Sequence, residues 1–222
     1  MTTYLDHYCE RTAAGAWAEP LNTATNLAFI LAALYVLHVW RKSELDLRRG
    51  WVIALLITLM FAIGIGSSLW HAFATPWAIW LDTIPILLFI NVYLVTALAY
   101  GLRWRWFEVF AGWAAYQLGN QLLLLNLPAD TWNGSVFYMP TWLALGLLGL
   151  AHRRVAPDMA RALFRGWLLF TVSLCLRSVD AAWCPVWPLG THFMWHLLNA
   201  LLLGGLAVAL LRLRALAIRT WH

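Results

Sequence analysis

Apolar runs of about 20 residues recur along the chain, and that is the length an α-helix needs to cross the roughly 30 Å hydrocarbon core of a bilayer. Seven can be drawn, over approximately 22–40, 51–71, 77–100, 104–126, 135–151, 162–180 and 190–211. In hydrocarbon every backbone N–H and C=O must find a partner within the protein, which leaves helices and closed barrels, and continuous runs this long read as helices. A content of 63% hydrophobic residues, 11% charged residues and 16 tryptophans excludes an ordinary soluble domain. The expected fold class is an all-α membrane protein, a seven-transmembrane helix bundle. The connections are short, with no internal repeat, linker or low-complexity tract, so residues 1–222 read as a single domain with an N-terminal segment over 1–21. That segment holds Asp6, Glu10, Arg11 and Glu19 and no apolar core, so no cleavable signal peptide is expected.

The charges orient these spans. Lys and Arg are clustered at Arg41, Lys42, Arg48 and Arg49, at Arg103 and Arg105, at Arg153, Arg154, Arg161 and Arg165, and at Arg212, Arg214 and Arg219. With seven spans, thirteen of the fifteen basic residues lie on one side, and only Arg11 and Arg177 fall towards the other. The positive-inside rule then places the N-terminus outside and the C-terminus in the cytoplasm. The net charge of +5 is accounted for by these loops, so no nucleic-acid partner is expected. The expected location is a bacterial inner membrane, with the less basic face towards the periplasm.

This topology sorts the polar residues by depth. His71 ends the second span, Asp82 lies near the start of the third, and His192 and His196 open the seventh. At 1.5 Å of rise per residue, all fall within about 10 Å of the outer boundary. Glu19, Asn22 and Asn26 at the first span, and Arg177 and Asp180 at the sixth, share that layer. Ser67 and His71 are four residues apart, as are His192 and His196, so each pair shares a helix face. Ionisable residues at such depth are costly to bury and mark functional sites. By contrast, Gln117, Asn120 and Gln121 in the fourth span read as interhelical hydrogen bonds or the lining of a watery cavity.

Three imidazoles at one depth suit zinc, which takes three protein ligands and leaves a fourth position for water. HFMWH lacks the glutamate of HExxH, so a base must come from elsewhere, and Asp82 is the candidate. Ser67 could donate to a developing oxyanion, whereas Ser68 points to another face. The same histidines could instead ligate haem or form a polar packing cluster, in a seven-span receptor or a haem-binding protein. The hydroxide chemistry of zinc also does not separate an amidase from an ester-cleaving lipid hydrolase.

The elements Glu19-x-x-Asn22-x-x-x-Asn26, Ser67-x-x-x-His71, Asp82, Arg177-x-x-Asp180 and His192-x-x-x-His196, after an Asp-x-x-x-Glu near the N-terminus, occur in the order seen in alkaline ceramidases. The chain resembles that family over essentially its whole length, within a wider seven-span hydrolase superfamily that includes adiponectin-receptor-like proteins. The resemblance implies a zinc amidase that cleaves the N-acyl bond of ceramide, or of a related membrane lipid, to a sphingoid base and a fatty acid. It implies His71, His192 and His196 as zinc ligands, Ser67 and Asp82 in the catalytic shell, and Asn22, Asn26, Arg177 and Asp180 in support. It also implies calcium in the N-terminal segment, for which Asp6, Glu10 and Glu19 offer hard oxygen ligands. Thr12 stands where the pattern has an asparagine, and the stretch from Glu10 to Glu19 is shortened.

Of the three cysteines, Cys9 and Cys184 fall on the outer side and Cys175 falls inside the sixth span. An oxidising compartment there would allow a Cys9–Cys184 disulfide, which agrees with the alkaline ceramidase pattern. Such a bridge would hold the N-terminal segment over the mouth of the site.

Overall fold

A computed structural model describes Leu5, residues 7–13 and residues 15–219. Among them the chain is helical, with no β-strand. A short α1 (Pro20–Thr25) leads almost directly into α2 (Leu27–Arg41), followed by α3 (Leu47–Phe73) and α4 (Pro76–Thr96), which ends in a π-helical turn, Ala97–Gly101. Then come α5 (Trp106–Asn126), a 3₁₀ turn (Ser135–Tyr138), α6 (Met139–His152), α7 (Pro157–Trp183) and α8 (His192–Arg219). Each of the seven apolar runs is thus helical; the largest differences in extent are at α8, which runs on to Arg219, and at α7, which begins at Pro157. Hydropathy did not register that first turn, which is polar. Proline at the first helical positions gives up an N–H that would have no helical partner there.

Six helical stretches, counting α1 with α2, are long and apolar enough to cross a membrane among the described residues. Helix α5 is 21 residues long, and Glu108, Gln117, Asn120, Gln121 and Asn126 make it more polar. The helices pack as a closed ring in chain order, each against the next, with α8 returning to α2 and also touching α3. Inside lie Leu56, Met60, Ile63, Phe89, Leu163 and Leu210, all essentially buried. The outer faces carry exposed Leu31, Leu122, Leu147, Leu168 and Leu201. A helix apolar on both faces fits a setting in which lipid covers the outside.

One residue of the α5 polar stripe bonds within its own helix. Asn120 Nδ2 donates back to the Tyr116 carbonyl of its own helix at 2.9 Å. The links to neighbouring helices come from Trp113, whose Nε1 donates to Asn91 Oδ1 on α4 at 2.8 Å, and from Tyr116, whose hydroxyl pairs with Thr141 on α6 at 3.0 Å.

One end of the ring is basic: Arg103, Arg161, Arg165, Arg212 and Arg214 line a single cavity there. The histidines gather at the ends of α3 and α8 that are remote from these arginines in sequence. Two local features shape that second end. Pro85 lies within α4, and because it has no N–H, the Leu81 carbonyl four residues earlier loses its helical partner. A Cβ on Gly66 would overlap that carbonyl. The bare glycine therefore lets α3 and α4 meet where Ser67 and Asp82 sit.

Candidate metal centre

His71, near the end of α3, and His192 and His196, on the first turns of α8, are all buried. One ligand atom from each of the three lies within 4.8 Å of the others. Residues 121 positions apart in sequence meet because α3 and α8 pack together, and the four-residue spacing of His192 and His196 points both rings to one side.

The rings are held from behind. His71 Nδ1 lies 2.6 Å from Glu19 Oε2, and a carboxylate can only accept, so Nδ1 carries the proton and Nε2 keeps its lone pair. Thr25 Oγ1 donates to the Leu21 carbonyl at 2.8 Å, so it accepts from His196 Nδ1 at 2.9 Å, which leaves Nε2 of His196 as the lone-pair nitrogen too. His192 Nδ1 is buried without a hydrogen-bond partner, an arrangement that costs free energy unless something binds there. Two imidazoles fixed in one tautomer by outer partners, and a third with an orphaned nitrogen, form a donor set that fits a divalent metal ion.

Helix ends supply the rest of the framework. The His71 carbonyl belongs to the last turn of α3, where carbonyls have no helical donor, and Arg11 Nη2 donates to it at 2.9 Å. Arg11 Nε reaches Glu19 Oε1 at 2.6 Å, both side chains being buried. Asn22 Nδ2 donates to Glu19 Oε2 at 3.1 Å. Burial pushes the Glu19 carboxyl up from the usual range, while Arg11 and Asn22 pull it down. Glu10 accepts from the Leu21 and Asn22 N–H groups at 2.6 and 2.8 Å, and burial raises its carboxyl as well. Asn26 Nδ2 turns back to the Asn22 carbonyl at 2.9 Å.

Asp180 is fully buried and serves α8 from outside that helix. Its Oδ1 accepts from the N–H groups of Thr191 at 2.6 Å and His192 at 2.9 Å, and its Oδ2 accepts from Cys9 N at 3.3 Å. A carboxylate beside the first N–H groups of a helix meets orphan donors and the positive end of the dipole together. Asp180 thereby fixes the backbone from which His192 projects.

Asp82 faces the Ser67 hydroxyl and the positive charge of Arg177, and its Oδ1 is buried with no hydrogen-bond partner. The Arg177 guanidinium carbon lies 5.0 Å from the Trp195 ring centroid, 5.7 Å from that of Tyr138 and 5.9 Å from that of Tyr8. Three aromatic faces stabilise the cation without neutralising it, so its field reaches Asp82. Tyr8 also stacks on the His192 ring at a centroid distance of 3.8 Å. Burial raises the Tyr8 hydroxyl above its ordinary range, so it stays protonated at neutral pH.

Cys9 and Cys184 are joined in a disulfide, and Cys175 is free and exposed. The bridge ties the segment carrying Tyr8, Glu10 and Arg11 to the end of α7. Asp6 lies outside the described residues. Tyr8, Arg11 and Thr25 were not selected from the sequence as site residues. Arg11 did leave a signal, because it and Arg177 are the two basic residues that fall outside the basic clusters of the sequence, and both are drawn into this centre.

Gly190 is where the bridge, Asp180 and α8 come closest. Its φ is +65°, and a Cβ there would overlap Asp180 Oδ1 and stand 2.7 Å from Cys9 Cβ. Gly190→Val is expected to destabilise the protein by about 1–3 kcal/mol, from backbone strain and a displaced Asp180. Gly205→Ala, a position with open space around it, should leave stability unchanged or slightly raised. Thermal unfolding of the two variants in one detergent checks the contrast.

The family model described as Ceramidase matches residues 2–218 of the chain. No curated protein matches the sequence.

Proposed function

The chain belongs to the ceramidase family, and on that premise we propose a zinc-dependent amidase that cleaves the N-acyl bond of ceramide, or of a related N-acyl lipid, within the membrane. The observation that carries the reading is three buried histidines whose ligand atoms lie within 4.8 Å of one another, two of them braced from behind by Glu19 and Thr25. His71, His192 and His196 would hold the metal. When bound, zinc supplies Lewis acidity towards a carbonyl group and acidifies water at neutral pH.

The chain's own groups do the rest. Asp82 takes a proton from the attacking water and delivers it to the departing nitrogen, which leaves as an amine. Ser67 has a single hydroxyl proton, and while Asp82 is charged that carboxylate is its best acceptor. Once Asp82 is protonated, the hydroxyl is free to turn to the oxygen on which negative charge has developed. Arg177, caged by Tyr8, Tyr138 and Trp195, contributes a fixed positive field to the same place. Glu19, Thr25 and Asp180 position the three histidines, and Asn22 holds Glu19.

The arrangement in the membrane belongs to the same proposal. Residues 1–222 form one domain with seven spans, α5 included, the N-terminus outside and the basic end in the cytoplasm. The site then opens near the outer face of a bacterial inner membrane, at the depth where a lipid's amide sits while its tails stay in hydrocarbon. The charge asymmetry of the loops supports this.

Incubating purified, zinc-loaded protein with a mixed lipid extract and analysing products by mass spectrometry tests the function. Release of a fatty acid together with a long-chain amine is expected. A fatty acid paired with an alcohol would replace the amidase by an ester-cleaving hydrolase, and no lipid product at all would overturn the reading.

A further inference from the structure

Calcium is the second metal that the resemblance implies, and the carboxylates described here do not fit it. Calcium takes about six to eight oxygens that converge with free lone pairs. Both oxygens of Glu10 already accept backbone N–H groups, from Leu21 and Asn22. Both oxygens of Glu19 are engaged as well, Oε1 by Arg11 and Oε2 by Asn22 and His71. Thr12, at the position where the family pattern has an asparagine, is exposed to the exterior and not turned into the cluster. A cation placed here would also stand beside the buried guanidinium of Arg11 and be repelled by it.

We infer that Arg11 takes the place of a structural calcium ion: its guanidinium is a built-in cation that satisfies Glu19 and clamps His71, so the protein needs no calcium. The contacts are those the role requires. Nε meets Glu19 Oε1 at 2.6 Å, Nη2 meets the His71 carbonyl at 2.9 Å, and Nη1 points to the Gly15 carbonyl at 3.4 Å. One planar group thus grips the backbone of a histidine and the carboxylate that orients its ring. A guanidinium fits because its donors are fixed in direction and it does not deprotonate. Glu19 is buried, and a buried carboxylate calls for a paired, hydrogen-bonded cation, which Arg11 supplies. Arg11 is therefore a positioning residue acting through Glu19 and His71, and this half of the inference rests on reading His71 as a metal ligand. The calcium half does not.

The two halves are tested separately on the full-length protein in detergent. For calcium, terbium luminescence and thermal unfolding in millimolar calcium or in EGTA are compared on the wild type. No specific terbium signal and no shift in unfolding temperature are expected. A saturable signal displaced by calcium, with a calcium-dependent rise in unfolding temperature, would overturn the inference. For positioning, zinc affinity is measured by competition with a chromogenic chelator. Arg11→Ala is expected to weaken zinc binding by about 10–100-fold, as loss of an outer partner does. Arg11→Lys, which keeps the charge but not the fork, should recover part of that loss and remain folded if Arg11→Ala does not. Wild-type zinc affinity in Arg11→Lys and in any folded Arg11→Ala would overturn the positioning role. A wild-type protein that binds no zinc at all would instead sink the proposed function, leaving the calcium result standing on its own.

Discussion

Alanine in place of His71, His192 or His196 is expected to remove zinc and lipid hydrolysis together. Each ring is buried and shares the centre with the other two, so no solvent molecule can easily reproduce the missing nitrogen. With two ligands left, a zinc site loses its geometry as well as a bond, and the Lewis acidity lost is worth several kcal/mol at the transition state. A rate loss of about 10³-fold or more follows. The fold should persist, because the ring of helices and the disulfide do not depend on these side chains. Metal content by plasma mass spectrometry, measured with activity and helical circular dichroism, checks all three points. A variant with full zinc and full activity would show that its histidine is not a ligand.

Asp82→Asn should separate chemistry from metal binding. The change keeps the shape of the side chain and removes its ability to take a proton. Zinc content should therefore be largely retained while kcat falls by about 10²–10⁴-fold and KM changes little. The surroundings favour this outcome. Gly66 and the unpaired Leu81 carbonyl bring Ser67 and Asp82 together through backbone packing, which the asparagine leaves alone. Turnover at the wild-type level in Asp82→Asn would remove Asp82 from the mechanism. Loss of zinc in parallel with activity would make it a ligand instead of a base.

The sequence carried the coarse placement well, because it rests on strong physical biases. Long apolar runs have few ways to satisfy their backbone in hydrocarbon, and all seven are helical; His71, His192 and His196, read as one layer, do meet. Helical spacing then explains why His192 and His196 face the same way. What could not be read was which polar group meets which. Glu19 precedes Pro20 at a helix start, an environment that suggests a cap, yet its side chain makes no capping bond and reaches His71 instead. Asp180 shares the layer of the histidines, but its contacts are with the backbone of α8. Such pairings depend on how α1, α3, α7 and α8 rotate against each other, which no single helix encodes. Asn120 on α5 satisfies its amide on a carbonyl of its own helix, a partner that helical spacing alone always offers. Arg11 and Arg177 were visible as exceptions to the charge rule, and an exception of that kind points to a buried partner.

The disulfide has a consequence for the order of manufacture. Cys9 and Cys184 are separated by 175 positions, so at about 5–20 residues per second the first thiol waits roughly ten to thirty-five seconds for the second. During that interval the segment carrying Tyr8, Glu10 and Arg11 lacks its covalent tether to the end of α7. The centre is therefore assembled last, when α7, the turn at Gly190 and the start of α8 have all been delivered. Truncated or stalled chains would hold helices but no finished pocket, and only a protein made almost to its end can begin to cut lipid.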